Sequence, residues 1–378
     1  LRAEANIIRW DEAQTMSFAI PGSTAAFPPI EVRQQTTKGL TLSLIQPLTP
    51  LWTVYEGYSA RDRGVDAATL HREVAGRDVT FQVVEAFFRL LQATRLEAVA
   101  TQSVEQVEGQ VRRARSFEQR GLVARNDVLR ADLGLAAVRQ RLIQARGGAA
   151  IARARLAMVV GLPADTVLEP AAPGDALPPH VVASAEEAER LAVERRGEIR
   201  EVEARAGQAR AGARAAWSRM LPQVSAVATH QRNEGSSFAQ EASTSVGGFL
   251  SWDVWEWGST YYGADEAGVR AEQARLALDR VRDGVRLEAR AAFVGASVTG
   301  EALDVSRRAV AQAEENFRIE TRRYEESANT SFDVLDAETL LTQARGQLET
   351  ATYDYLIADA ALRRAVGAPL PGAPGGTP

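Results

Sequence analysis

The chain has 378 residues, a formal net charge of −5 and 25% charged residues, with no cysteine and Lys38 as the single lysine among 44 basic residues. That balance carries no whole-chain signal for a nucleic acid, and the missing thiols exclude disulfides, thiolate nucleophiles and cysteine-ligated metals while suiting an oxidising, extracytoplasmic compartment. No apolar run reaches the roughly 18–20 residues of a membrane-spanning helix, which excludes an inner-membrane helix bundle but not a β-barrel of short alternating strands.

Residues 1–10 place Arg2, Glu4 and Asn6 on one face and Ala3, Ala5 and Ile7 on the other, the period of a strand. A polar loop rich in Ser, Thr, Gly and Pro follows over 11–38, and 39–46 alternates again, with Leu40, Leu42 and Leu44 against Thr41 and Ser43. From about residue 60 the spacing changes to threes and fours (Val79, Val83, Ala86, Phe87, Leu90, Leu91), predicting a long helix to about 117. At 1.5 Å per residue such a helix spans roughly 90 Å and has to pack lengthwise against others. Gly121 reads as its C-terminal cap, Asn126 as the next N-cap, and a second helix runs over 127–160 to the stop Gly161-x-Pro163.

Residues 164–183, rich in Ala, Pro, Gly and Asp, form a linker. A helix over 184–220 precedes strands over 223–230 and 246–254, the last with Leu250, Trp252 and Val254 on one side, and the polar segment 233–245 joins them. A second helical hairpin fills 264–366, with Ser331 as the N-cap of its second helix and Gly367-x-Pro369 as its stop. The Pro/Gly-rich tail 370–378 reads as disordered.

This order is a duplication. Asp127-Val128-Leu129-x-Ala131 returns 206 positions later as Asp333-Val334-Leu335-x-Ala337, and the same offset joins Ala86-Phe87 to Ala292-Phe293 and Gly161-x-Pro163 to Gly367-x-Pro369. A period this long marks a repeated half-protein, 1–163 and 184–369, rather than a short solenoid unit.

Three groups carry functional information. Trp52, Tyr55 and Tyr58 in the first half and Trp252, Trp255, Trp257, Tyr261 and Tyr262 in the second fall just past two amphipathic strands, where a membrane-interface girdle of aromatics belongs. The two breaks between paired helices are hairpin turns. Asp333 and Asp336 lie three apart at a helix start and share nearly one face. His71, His180 and His230 are isolated from one another, and no phosphate loop or nucleophile motif occurs, so neither an enzyme, nor a metal, nor a cofactor is expected.

Gly121-Leu122-Val123-Ala124-x-x-Asp127-Val128-Leu129-x-Ala131 and Tyr324…Asp333-Val334-Leu335-Asp336-Ala337, together with four strands and duplicated hairpins, resemble the TolC-like outer-membrane efflux proteins. The resemblance covers nearly everything from Leu1 to Pro369. It implies a mainly α fold with a small β part. Three chains share a 12-stranded outer-membrane barrel and a periplasmic helical tunnel, which serves as the exit duct of a tripartite efflux or type I secretion system. It also implies a periplasmic adaptor protein, and through it an inner-membrane pump, as partners. Asp333 and Asp336 then match a gate and selectivity ring at the tunnel end. Crowding of like charges there is expected to raise their pKa values. Tyr324 with Asp127, and Asn329 with Asn126, match an inter-helix latch, although Asn329 stands where the family has an arginine. Gly121, Leu122 and Val123 match the adaptor-contact tip, and Ser327-Ala328-Asn329 is its glycine-free counterpart. The resemblance also implies a helix before Leu1, which is expected to be missing from the first repeat. A pore-free periplasmic coiled-coil scaffold or adaptor is the alternative. It explains the helices but not four alternating strands that end in aromatics.

Overall fold

A computed structural model describes residues 1–17, 28–168, 170, 178, 181–237, 239–326 and 328–371. In chain order the elements are β1 (Arg2–Arg9), β2 (Gln14–Met16), β3 (Ile30–Pro47), α1 (Pro50–Gln119), α2 (Arg125–Val159), α3 (Ala185–Arg195), α4 (Gly197–Ser218), β4 (Gln223–Ser236), β5 (Ala242–Ser251), α5 (Ser259–Glu325) and α6 (Ser331–Ala365). The bounds of α2 and α6 lie 206 residues apart at both ends. Two compact units are present, one made of 1–67 with 202–277 and the other of 68–201 with 278–378, so each unit draws on both repeats.

The first unit holds the sheet. Its strands run antiparallel in the order β1-β3-β4-β5, with β2 added beside the far end of β3. Two expected boundaries are corrected here. Strand β3 begins at Ile30, so much of the expected loop 11–38 is strand, and β4 continues to Ser236. Residues 33–38 are polar throughout and lack the alternation that marks a half-buried strand. Their pairing comes from β1, β2 and β4, with a register shift between Arg33 and Lys38. Strand β5 lies at 242–251 and stops before Val254. Where the strands meet the helices, Thr49 Oγ1 donates to the Pro222 carbonyl and accepts from the Val224 amide, both at 2.7 Å. Two turns on, buried Glu56 takes a two-pronged pair from Arg214 at 2.9 and 2.8 Å. These contacts fix the start of α1 at Pro50, ten residues earlier than its apolar spacing indicates. Proline suits a first helical turn because its missing N–H is unpaired there in any case.

The second unit is built from helix faces. Ala86 and Leu90 of α1 pack on Leu156 of α2, and Phe88 and Leu91 of α1 pack on Tyr353 of α6. Each repeated Asp-Val-Leu-x-Ala motif buries its Val and Ala (Val128 and Ala131, Val334 and Ala337) just after a hairpin turn. Gly134 opposite Leu335 lets that leucine join the cluster of Val111, Ala114, Val128 and Ala131, since a Cβ at 134 would sit 3.3 Å from it. The helices α2 and α6 end at Gly161 and Gly367, with φ of 78° and 72°. Their closing bonds, Leu162 N to Ala157 O and Ala368 N to Arg363 O at 2.8 Å, need that left-handed residue.

Two expected caps are also corrected. Helix α2 is entered through Ala124 and α6 through Thr330, one or two residues before Asn126 and Ser331. Thr330 wins because its hydroxyl and amide both bond Asp333 three residues on, a capping box that Ser331 cannot make with Val334. The helix expected over 184–220 is two helices broken at Arg196, which is extended (ψ 131°) and only 5% exposed. Its guanidinium pairs with Glu198 and Glu288. Glu288 also meets Arg364, which reaches Asp78 at 2.8 Å. The break falls at Arg196–Gly197, where a Cβ at 197 would sit 3.0 Å from Val74. It follows from tertiary ion pairs that a helical spacing does not reveal.

Candidate functional site

The sheet of the first unit has two chemically different faces. On one, the register aligns Ala3 and Ala5 of β1, Leu40, Leu42 and Leu44 of β3, Ala226 and Ala228 of β4, and Val246, Gly248 and Leu250 of β5. The other face carries Arg2, Glu4 and Asn6, Thr41 and Ser43, Thr229, Gln231 and Asn233, Ser243 and Ser245. Close to the helices this second face also takes Ile45, Val227 and Phe249. In the single chain the apolar face lies bare, with Leu40, Leu44, Val246 and Leu250 exposed. The sheet is open at β1 and β5. A bare apolar face with unpaired edges is unfavourable in water and is the arrangement of a barrel segment in lipid.

The apolar band is bounded on both sides. At the helix end stand exposed Trp52, Tyr55, Tyr58, Trp252, Trp255, Trp257, Tyr261 and Tyr262. They touch in pairs, with ring centres of Trp52–Tyr55 at 6.2 Å, Trp255–Trp257 at 6.1 Å and Tyr261–Tyr262 at 5.4 Å. Trp252 Nε1 donates to the Met220 carbonyl at 3.3 Å. Trp257 has φ of 53°, a left-handed backbone for a bulky residue, and its ring is 89% exposed. Toward the other end of the band the same face turns polar at His230, level with Leu42, and charged at Arg232, level with Leu40, and at Lys38 and Glu234. From Lys38 to Leu48 is about ten residues. At about 3.3 Å per residue and a tilt near 40–45° they span roughly 25 Å, the height of an outer-membrane apolar band.

The second unit contains the ends of both hairpins. Gly121 (φ 73°) closes α1 through bonds from Gly121 N to Glu118 O at 2.8 Å and from Leu122 N to Phe117 O at 2.9 Å, and leaves Leu122 58% exposed. In the α5–α6 turn Ser327 lies outside the described residues. Asn329 Nδ2 donates to the Glu320 carbonyl at 3.0 Å and to the Glu320 carboxylate. The Asn329 side chain thus bonds back to α5, and Asn126 is exposed on α2. Tyr324 is buried against Phe117, ring centres 5.5 Å apart. Its hydroxyl has no hydrogen-bond partner among the described residues, so the expected bond to Asp127 is not made in the single chain. Burial, and the Asp127 charge beside it, push the Tyr324 hydroxyl up from the ordinary tyrosine range.

Asp333 and Asp336 differ in their surroundings. The Asp333 carboxylate accepts from Thr330 N at 2.9 Å and Thr330 Oγ1 at 2.8 Å, and these bonds hold it below the usual carboxylate range. Within one chain that is the opposite direction to the one expected from a ring of like charges. Asp336 is exposed, one turn along α6. Sequence reasoning missed Glu320 and the capping role of Thr330. The Thr-x-x-Asp spacing was the available signal for the second.

Among the described residues no group of His, Asp and Glu could hold a metal ion, and no helix is long and apolar enough to cross a membrane. Residues 30–162 and 190–368 match the outer membrane efflux protein family. A comparison with curated proteins gave no match. Among solved structures, the chain is similar to the outer-membrane channel OprN (21% identity, TM-score 0.79, covering 97% of this chain and 81% of that one). It is also similar to the outer membrane protein VceC from Vibrio cholerae (18%, 0.79, 97% and 87%) and to the CmeC outer membrane channel of Campylobacter jejuni (15%, 0.77, 97% and 77%). With a mainly helical fold, a small sheet of barrel character and a family match over most of its length, the chain belongs to the outer membrane efflux proteins and serves, without catalysis, as an exit channel in the outer membrane of a Gram-negative bacterium, with its helices in the periplasm.

Proposed function

We propose that the working form is a homotrimer in which each chain supplies four strands to one closed barrel, apolar face to lipid and polar face to the lumen. The two-faced sheet with open edges at β1 and β5 carries this reading. Four strands cannot close a barrel, and open edges cannot remain in lipid. The helices support it independently. Leu129, Leu133, Ile143, Ile151 and Met158 of α2 are all exposed and, at 3.6 residues per turn, fall within about 40° of one line. Leu287, Val294, Val298 and Val305 of α5 form a second exposed line of the same kind. Neighbouring copies bury these stripes against each other.

The hairpin ends are then the periplasmic gate, with Gly121, Leu122 and Val123 offered to a periplasmic adaptor protein and, through it, to an inner-membrane pump. Asp336 supplies the charged ring. Asp333 chiefly holds the turn in shape. Transported solutes pass through without chemistry, and the acidic ring favours cations.

The test is single-channel recording in planar bilayers. Wild type is expected to conduct with a preference for cations, and Asp336→Asn to lose most of that preference. A purified trimer that never forms conducting channels would overturn the reading.

A further inference from the structure

The charged end of the apolar face has no part in conduction, and its composition is unusual for this chain. Lys38, the only lysine, lies there on β3. Ile7 of β1 pairs with Lys38, so Arg9, two residues on, extends the same face. Arg232 of β4 pairs with Leu40, and Glu234 pairs with Lys38. Three cations and one anion therefore share three adjacent strands, Arg232 level with the exposed Leu40, Lys38 and Glu234 level with the exposed Ile7, and Arg9 beyond them. Inward of them on β4, His230 Nδ1 is engaged with Thr244 Oγ1 at 2.9 Å.

Glu234 does not neutralise the group. It stands 3.9 Å from Lys38 Nζ and 3.7 Å from Arg232 Nε, and all three side chains are more than half exposed. Exposed pairs at such distances contribute little. The cations keep most of their hydrogen-bond donors free for an outside acceptor, and guanidinium forks match phosphate oxygens. Their position adds a depth. They lie on the lipid side, roughly 25 Å from the aromatic cluster, where the headgroups of the far leaflet begin.

We propose that Arg9, Lys38 and Arg232 form an outward-facing belt that binds the phosphate groups of an outer-leaflet glycolipid, namely lipopolysaccharide. This rests on the reading that the apolar face meets lipid. Each protomer contributes one belt, and the negative charge of Glu234 weakens it by repelling the phosphate.

The experiment uses the full-length protein in nanodiscs, with fluorescent lipopolysaccharide and its dephosphorylated form as probes. Wild type is expected to bind the phosphorylated probe at least tenfold more tightly. The Arg9→Gln/Lys38→Gln/Arg232→Gln variant is expected to lose that difference while keeping wild-type particle mass and conductance. Glu234→Gln is expected to tighten binding several-fold, a gain that misfolding cannot mimic. Equal binding of the two probes, or wild-type affinity in the triple variant, would overturn the belt and leave the channel standing. If the wild type fails to enter nanodiscs at all, the membrane placement of the sheet fails with it.

Discussion

At the residue scale the proposed function divides the two aspartates of the α5–α6 turn into a structural and a functional one. Asp333 completes the capping box with Thr330, so Asp333→Ala should lower hairpin stability. Asp333→Asn should be milder in stability and leave most of the cation preference in place. Limited proteolysis of the turn and reversal potentials measure the two effects separately, and equal loss of selectivity in D333N and D336N would sink the division. The aspartates and the hairpin turns were legible because Asp, Gly and Pro mark helix ends by rules that act within four residues. The clamp from Asn329 to Glu320 was not. It spans nine positions around a turn, and nothing in the spacing fixes which way a short amide points.

At the element scale the network around Arg196 makes a pH-dependent claim. Burial opposes the charge on Glu198, but the Arg196 guanidinium overrides it and holds the carboxyl below its ordinary value of 4.5. A depressed carboxylate stabilises the fold above its unfolded pKa, and that stability is lost as pH falls through the lower folded value. Thermal unfolding of the wild type should therefore be flat above about pH 5.5 and fall steeply below about pH 4.5, a fall reduced in Glu198→Gln. Arg196→Ala, which leaves two carboxylates facing a buried site, should cost on the order of 2 kcal/mol at neutral pH. A melting curve unchanged by R196A would show that the break between α3 and α4 is held by something else. Within the core, Leu90→Ala should cost about 2–5 kcal/mol, since Leu90 is fully buried between α1 and α2. Helix faces such as Leu90, Leu91 and Val334 were readable from their periods. The true starts at Pro50 and Ser259 were not, because the aromatics just past the strands obey neither period clearly.

At the scale of the whole molecule the chain is an incomplete object. The duplication, the four strands and the helical hairpins were legible in the sequence, since repeat and period survive without any contact being known. The extent of β3 beyond Lys38 was not. Those residues are mostly polar and are held by pairing with β1, β2 and β4 and by contacts of Trp10 with Thr37 and Arg33, none of which a period reveals. Closure of the sheet requires other copies. Leu133→Glu combined with Val298→Glu should split the detergent-extracted particle from three chains of 40.9 kDa toward single ones, as read by its mass. A mass unchanged by both charges would remove the stripes from the interface.

The absence of cysteine offers the most direct test of the central claim, because any introduced thiol is unique. Spin labels placed singly from Thr41 to Ile45 and reconstituted in lipid would report oxygen against a water-soluble relaxation agent at each position. Our account predicts a period of two, with labels at 42 and 44 in lipid and those at 41 and 43 in water. Uniform water access along the strand, or a protein that stays soluble without detergent, would contradict it.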